Sequence, residues 1–288
     1  MRAGISFGFA LFFLCVSSAS SDTRTDPVLR FVSSANGEAS VSLSELRMAC
    51  PPRAVEVDDP YHERAMRYFT MPFRCVLERG FAALGGAETL RGQGLLLRAL
   101  DGYTRPASGS ELLADGAHLA FGEVALMRRS EAAPSFTPID RRQVDPGPYY
   151  LVWSGTGQND PHALPWPYQL ATIEVASFPK AFPRTVPKGL EASHPGWAGY
   201  ALFQRSCASC HAINGQGGKI GPDLNVPRSI VEYRPIDEIK SYVRNPEATR
   251  YTSMPAHPDL SDADLDTLID YFEAMSQRKQ DPRAEAGS

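Results

Sequence analysis

The sequence predicts two domains: an N-terminal α+β domain followed by a small all-α domain. Before residue 178, apolar runs of strand length alternate with segments whose apolar residues recur at helical spacing. Prolines then recur through residues 179–195 with few large apolar residues between them, a composition typical of an extended spacer. After the spacer, apolar residues recur at helical spacing alone. We therefore expect five parts: a signal peptide (1–21), an α+β accessory domain (22–178), a Pro-rich linker (179–195), an all-α domain (196–277) and a disordered tail (278–288).

The composition is that of an ordinary globular protein and argues against nucleic acid as a partner. Its 288 residues are 43% hydrophobic and 22% charged, which is enough apolar material for two cores. The formal net charge is −4, whereas nucleic-acid-binding proteins usually carry a basic patch.

The N-terminus has the three parts of a secretory signal peptide. Met1 and Arg2 supply a positive start, residues 5–16 form a short apolar run, and small residues follow. The run is too short to span a bilayer, and no other stretch of the sequence could cross one. We expect cleavage near Ala19–Ser21, export to the periplasm, and a mature chain without a transmembrane span.

Strands and helices are expected to mix in the N-terminal domain. Helices are predicted at residues 61–68 and 72–84, where apolar residues recur every three to four positions, and a helical turn is predicted at 110–113. The apolar stretches that we interpret as strands are residues 28–32, 41–43, 94–100, 149–153 and 169–175.

Three helices are expected in the C-terminal domain. The first covers residues 195–206. Pro235 suits the first turn of the second helix, and Asn245-Pro246 ends it. Ser261 is placed to cap the third helix. The apolar stripe of that helix falls at the i, i+3, i+4 and i+7 positions Leu265, Leu268, Ile269 and Phe272.

The pentapeptide at residues 207–211, Cys-Ala-Ser-Cys-His, has the spacing of a c-type haem attachment site. The thiols of Cys207 and Cys210 can each form a thioether with one porphyrin vinyl group, and His211 can bind the iron from below. A zinc site would need a second Cys/His pair downstream, and none follows. A thioredoxin-like site would need a preceding strand, whereas the stretch before Cys207 has helical spacing. One covalent heme c is therefore expected.

Residues 196–277 resemble class I c-type cytochromes. The features that carry the resemblance are, in chain order, Gly199, Phe203, the C-x-x-C-H motif, Gly221-Pro222, Met254-Pro255 and Tyr271. The resemblance implies that the first helix crosses the last helix near Tyr271, with Gly199 and Phe203 at the crossing. It also implies that the Pro222 carbonyl accepts a hydrogen bond from the second ring nitrogen of His211, which fixes the tautomer of that ring.

Met254 is the expected sixth ligand of the iron. It lies in a loop between the second and third helices, and a neutral thioether raises the reduction potential relative to a second imidazole. His257 is the rival ligand, and Met254 could instead be a packing residue. An iron with two protein ligands has no open position for oxygen or peroxide, which favours electron transfer over catalysis. The expected partners are periplasmic redox proteins that donate and accept electrons.

The N-terminal domain resembles the molybdopterin-binding domain of the sulfite oxidase family over about residues 40–176. The segments that carry the resemblance are residues 41–46, 101–103, 117–121, 148–153 and 166–170. Family members present a cysteine thiolate to molybdenum within a Cys-x-Gly-Asn-like stretch, and neither Cys50 nor Cys75 has that context. We therefore expect no molybdopterin and interpret the domain as a docking module. Cys50 and Cys75 could form a disulfide or remain two buried thiols.

The preferred function is that of an exported monohaem electron carrier with an N-terminal docking domain. The alternative is a fused haem–molybdenum oxidoreductase that oxidises a small anion such as a sulfur oxyanion.

Overall fold

The structure is a computed structural model that describes residues 26–130, 132–139 and 143–283. The predicted signal peptide and the end of the predicted tail, residues 284–288, lie outside the described residues. Among the described residues, no helix is long and apolar enough to cross a membrane.

Eleven strands are present in the described part of the chain. They are β1 (Val28–Ser33), β2 (Gly37–Ser42), β3 (Arg53–Asp59), β4 (Arg64–Pro72), β5 (Gly94–Ala99), β6 (Thr104–Ser108), β7 (Ala117–Glu123), β8 (Tyr150–Trp153), β9 (Leu170–Val175), β10 (Ala212–Ile213) and β11 (Gln216–Gly217).

Eight α-helices are present over the same residues. They are α1 (Leu43–Ala49), α2 (Phe73–Gly80), α3 (Gly109–Leu112), α4 (Phe178–Ala181), α5 (Gly196–Ser206), α6 (Ile230–Tyr233), α7 (Ile236–Arg244) and α8 (Asp262–Ser276).

The prediction of an α+β N-terminal domain is wrong, because this region is mostly β. Its strands form a five-stranded sheet in the order β2-β1-β9-β5-β6 and a four-stranded sheet in the order β3-β4-β7-β8. All strand pairs in the two sheets are antiparallel except β1 with β9, which run parallel. The helices of this region, α1 to α3, span at most eight residues each. Residues of the two sheets therefore supply most of the N-terminal core.

The helix predicted at residues 61–68 is instead a turn followed by β4. Met66 and Tyr68 are buried while Ala65 and Arg67 are exposed, which is the two-residue period of a strand. β4 pairs with β3 on one side and with β7 on the other, so the sheet satisfies its backbone groups. The apolar residues of this short segment fit both the helical and the strand period. Only the strands that pair with the segment show that it forms a strand.

Cys50 and Cys75 form a disulfide, which decides between the two states that the sequence left open. The bond joins the residue that follows α1 to the first turn of α2. α2 is the helix predicted at 72–84, and its Phe73, Val76 and Leu77 are buried. The disulfide thus holds the two helices together on the N-terminal core.

The prediction of an all-α C-terminal domain is also wrong, because the domain is only partly helical. α5, α7 and α8 match the three predicted helices, but the chain between α5 and α6 forms the ribbon β10–β11 and irregular loops. Asn214, Gly215 and Gly217 in this segment have positive φ angles, a conformation that interrupts a helix. The glycines and prolines of residues 214–229 thus produce loops in the part of the domain that follows the C-x-x-C-H motif.

α5 and α8 cross at Gly199, as the resemblance to class I cytochromes implied. A Cβ atom at Gly199 would lie 1.8 Å from the carbonyl oxygen of Thr267, so only glycine lets the two helices approach this closely. The rings of Phe203 and Tyr271 lie 5.4 Å apart beside the crossing. The hydroxyl of Tyr271 donates to the carbonyl of Thr185, which ties the pair to the chain before α5.

The second core extends beyond the C-terminal helices. Leu96 of β5 is buried in it, whereas its neighbours Leu95 and Leu97 belong to the first core. Phe178 and Phe182, at either end of α4, also pack into the second core. At β5, one face of the five-stranded sheet therefore packs on the first core, and the other face packs on the core around α5 and α8.

Candidate functional site

The C-x-x-C-H segment forms a tight turn at the end of α5. The amide of Cys207 donates to the carbonyl of Phe203, and the amides of Cys210 and His211 donate to the carbonyl of Cys207 at 3.1 and 2.9 Å. This turn brings both cysteines and His211 to the wall of one cavity of about 410 Å³. The three residues that the sequence singled out for haem attachment therefore share one site.

The ring of His211 is held by its surroundings. Its Nδ1 lies 2.9 Å from the carbonyl oxygen of Pro222, the contact that the resemblance implied. A carbonyl can only accept, so this bond places the ring proton on Nδ1 and leaves the lone pair of Nε2 for a metal. Burial lowers the pKa of His211, against the opposing effects of the Pro222 carbonyl and Asp223. A neutral imidazole is the form that binds iron.

Gly221 packs directly against the ring of His211. A Cβ atom at this position would lie 2.4 Å from Cε1 and 2.6 Å from Nδ1 of the imidazole. The amide of Gly221 donates to the carbonyl of Cys210, so its backbone cannot move away without breaking that bond. Glycine is therefore required beside His211, and the pair Gly221-Pro222 fixes the ring from two sides.

Met254 and His257 both line the same cavity, so the structure brings the expected sixth ligand and its rival to one site. Met254 is half-buried, and its amide donates to the hydroxyl of Thr252 at 3.1 Å. His257 is 4% exposed, and its ring packs edge-on against His162 with the centroids 5.2 Å apart. Burial, followed by the charge of His162, lowers the pKa of His257.

The rest of the cavity wall fits a flat apolar macrocycle. Its apolar lining residues include Ile220, Leu224, Ile230, Ile239, Val243, Leu268 and Phe272. The volume is within the usual range of cofactor sites. Burial raises the pKa of Cys207 to about 12, so its thiol is protonated at neutral pH. The residues present thus fit a haem with a histidine on one side.

The N-terminal residues that contact this segment were not singled out from the sequence. β6, an edge strand, bonds to the turn itself, because the amide of Thr104 donates to the carbonyl of Ser209 at 3.0 Å. Arg105 on the same strand donates from Nη1 to the carbonyl of Arg205 at 2.7 Å. Residues 101–103 carried part of the family resemblance, but nothing local in the sequence indicates that this strand meets residues 205–209.

The N-terminal region does not supply the thiolate that a molybdenum centre of the sulfite oxidase type would need. Both of its described cysteines, Cys50 and Cys75, are joined in the disulfide. The donor set therefore does not fit molybdopterin, and the resemblance of this region to the sulfite oxidase family is not supported.

Comparisons with known proteins agree with the C-terminal site. Residues 197–276 match the family model described as cytochrome c. Cytochrome c oxidase subunit 2 of Alkalihalophilus pseudofirmus (strain ATCC BAA-2126 / JCM 17055 / OF4) is 29% identical over 79 residues, which are 25% of this chain and 23% of that protein. The chain thus spans about a quarter of the length of this relative. These matches support a class I c-type cytochrome domain at the C-terminus, a haem cofactor and a haem-based role in electron transfer.

Proposed function

We propose that the protein carries single electrons between redox partners on one covalently bound haem. The observation that carries this proposal is the shared cavity, in which Cys207, Cys210, His211 and Met254 meet around an apolar space. When bound there, haem supplies an iron that alternates between the ferrous and ferric states and so holds one electron at a time.

Each residue of the site has a separate task. Cys207 and Cys210 anchor the macrocycle through thioethers. His211 presents Nε2 to the iron, held in that tautomer by its bond to the Pro222 carbonyl. Met254, in the loop between α7 and α8, would supply a second protein ligand to the iron. A thioether in this position favours ferrous iron and raises the reduction potential.

The proposed location is the periplasm. The charged, apolar and small-residue order of the first twenty residues supports export. The disulfide between Cys50 and Cys75 supports it independently, because structural disulfides persist in oxidising compartments. Redox proteins of the same compartment are then the partners.

Covalent attachment is tested by the iron and haem content of the full-length protein after export from a cell that matures c-type cytochromes. We expect one iron per chain and haem that stays with the polypeptide under denaturing conditions. The variant Cys207→Ala, Cys210→Ala should lose all covalent haem. Haem that is released by denaturant from the unsubstituted chain would contradict the proposal.

The sixth ligand is tested by Met254→Ala, with His257→Ala as the matched variant from the same cavity. We expect Met254→Ala to abolish the low-spin ferric spectrum at neutral pH and His257→Ala to preserve it. An unchanged spectrum in Met254→Ala would transfer the ligand role to His257 or another group.

A further inference from the structure

One side of the haem-attachment turn is covered by the N-terminal region. We call this contact the seam and define it as residues 102–105 and His162 against residues 205–219. Besides the bond from Thr104 to Ser209, the amide of Lys219 donates to the carbonyl of Gly102 at 3.2 Å. The match to the cytochrome c family covers residues 197–276, so the seam brings residues from outside that match against the attachment turn.

Arg105 places a positive charge inside the seam. The residue is 8% exposed, and its guanidinium donates from Nη1 to the carbonyl of Arg205 at 2.7 Å and from Nη2 to the carbonyl of His162 at 3.0 Å. Its Nε is buried and has no acceptor among the described residues. Over the same residues, no carboxylate lies within 4 Å of the guanidinium. In the described part of the chain, backbone carbonyls therefore hold this charge and no neighbouring acid cancels it.

Glu111 is an acidic residue that interacts with Arg105 at longer range. Burial raises the pKa of Glu111, and its bond to the Ser108 backbone, followed by the charge of Arg105, opposes that rise. The carboxylate accepts from the amide of Ser108 at 3.2 Å in the cap of α3, so it is bound there and does not pair with Arg105. Glu111 therefore weakens the field of Arg105 without neutralising it.

The guanidinium of Arg105 lies beside the proposed haem site. Arg205, whose carbonyl it binds, directly precedes Ser206 and Cys207, and both of those residues line the cavity. The carbonyl of Cys207 in turn accepts from the amide of His211 at 2.9 Å. Because two residues of backbone span at most about 7 Å, the guanidinium lies within about 13 Å of that amide.

Two tyrosines of the N-terminal region interact with both Arg105 and the attachment motif. Burial raises the pKa of Tyr61 and of Tyr103. In both tyrosines Cys210 adds to the rise, whereas the charge of Arg105 opposes it. Arg105 and Cys210 therefore lie within electrostatic range of the same two hydroxyl groups. A haem bonded to Cys210 would lie within range of the Arg105 charge as well.

We propose that Arg105 raises the reduction potential of the haem, so that the N-terminal region sets the electron affinity of the C-terminal site. This inference rests on the proposed function, since it needs the haem. An iron porphyrin with neutral axial ligands loses one positive charge when it is reduced, so a fixed cation nearby disfavours the ferric form. A unit charge at about 10–15 Å, in surroundings with an effective dielectric constant of about 20, changes such an equilibrium roughly tenfold.

The test is a reduction titration of the full-length haem-loaded protein, in which a mediator dye of known potential passes one electron to each ferric haem. Arg105→Gln and Arg105→Met both remove the charge, and methionine also fills the buried position with an apolar chain of similar length. Arg105→Lys keeps the charge but loses the paired bonds to two carbonyls. Arg205→Gln is the matched control, because it removes an exposed arginine beside the same turn and keeps the carbonyl that Arg105 binds.

At neutral pH and a fixed solution potential, we expect both neutral variants to lower the ratio of ferrous to ferric haem about tenfold, which is about 59 mV for a one-electron couple. Arg105→Lys should stay within about threefold of the unsubstituted protein, and Arg205→Gln should change the ratio about twofold or less. The tenfold difference should persist from about 10 mM to about 1 M salt, because buried charges are screened much less than exposed ones. The ratio is read from haem absorbance, so chains without haem do not affect it.

Three results would overturn the inference. A ratio for Arg105→Lys as low as that of the neutral variants would assign the effect to the broken hydrogen bonds. Equal ratios in all the proteins, or a difference that disappears at high salt, would show that no buried charge acts on the haem. A change of the low-spin ferric spectrum confined to the neutral variants would assign the effect to a changed axial ligand.

The haem content of the unsubstituted protein separates this inference from the proposed function. A chain that binds no haem would overturn both. Full haem content, with a reversible one-electron transition that is the same with and without Arg105, would overturn the role of this residue and leave the electron carrier standing.

Discussion

The crossing of α5 and α8 provides the sharpest test of the C-terminal fold. Replacement of Gly199 with Ala would put a Cβ atom 1.8 Å from the carbonyl oxygen of Thr267 and 2.8 Å from Cβ of Tyr271. A carbon and a carbonyl oxygen in contact normally lie about 3.3–3.6 Å apart. The helices would therefore have to separate by about 1.5 Å. A backbone oxygen inside a helix cannot rotate away, so the whole contact must open.

Two effects of this substitution oppose each other. Alanine is favoured over glycine inside a helix by about 1 kcal/mol. Overpacking of a tight contact costs about 1–3 kcal/mol, and a clash with backbone belongs at the upper end of that range. We expect a net loss of about 2 kcal/mol in the free energy of unfolding. Because Cys207 follows directly after α5, the separation should also disturb the haem-attachment turn.

The assay is urea unfolding of the haem-loaded protein, followed by haem absorbance. A loss of about 2 kcal/mol should lower the urea midpoint by about 1 M. Ala198→Ser is the control, because it adds one heavy atom to an exposed position of the same helix and should cost about 0.5 kcal/mol or less. A urea midpoint for Gly199→Ala equal to or above that of the unsubstituted protein would refute the close crossing of α5 and α8. The gain in helix propensity would then exceed any cost of overpacking.

Three further predictions concern the disulfide, a buried histidine and the haem ligand. Replacing both Cys50 and Cys75 with Ala should cost about 3.5 kcal/mol of unfolding free energy, because the bond closes a loop with a sequence separation of 25; equal urea midpoints with and without the bond would contradict this. Burial holds the pKa of His118 at about 4, below its ordinary value of 6.5, so the unfolded chain binds the proton more tightly. Stability should fall as the pH drops from 7 through 6.5 towards 4, by about 2–3 kcal/mol at pH 4.5, and His118→Gln should flatten this part of the curve of urea midpoint against pH. Gly221→Ala should displace the ring of His211 and produce a high-spin fraction in the ferric absorption spectrum, whereas an unchanged spectrum would show that the ring tolerates the added Cβ.

Local sequence signals predicted the C-terminal helices well. Ser261 caps α8 with a reciprocal bond to Asp264, and the apolar stripe of that helix is buried as its spacing indicated. Pro235 precedes α7, and Asn245 follows it. Each of these signals acts within a few residues, so the chain needs no distant contact to express it.

The predicted fold class was wrong where local sequence signals are ambiguous. β3 carries charged residues at exposed positions of an edge strand and was not predicted at all. β6 contains Pro106 and was missed for a similar reason, since an edge strand can tolerate a proline that a central strand cannot. Sheet pairing joins residues far apart in sequence, and no short window contains both partners.

The sequence by itself predicted the chemistry of the site. The residue types and spacing of Cys207, Cys210 and His211 predict haem attachment, because two cysteines followed at once by a histidine are the pattern of a c-type attachment site. Tertiary structure alone decided that Cys50 meets Cys75 and that β6 covers one side of the attachment turn. The reason is physical: bonding capacity is a property of single residues and their near neighbours, whereas burial and contact depend on how distant segments pack.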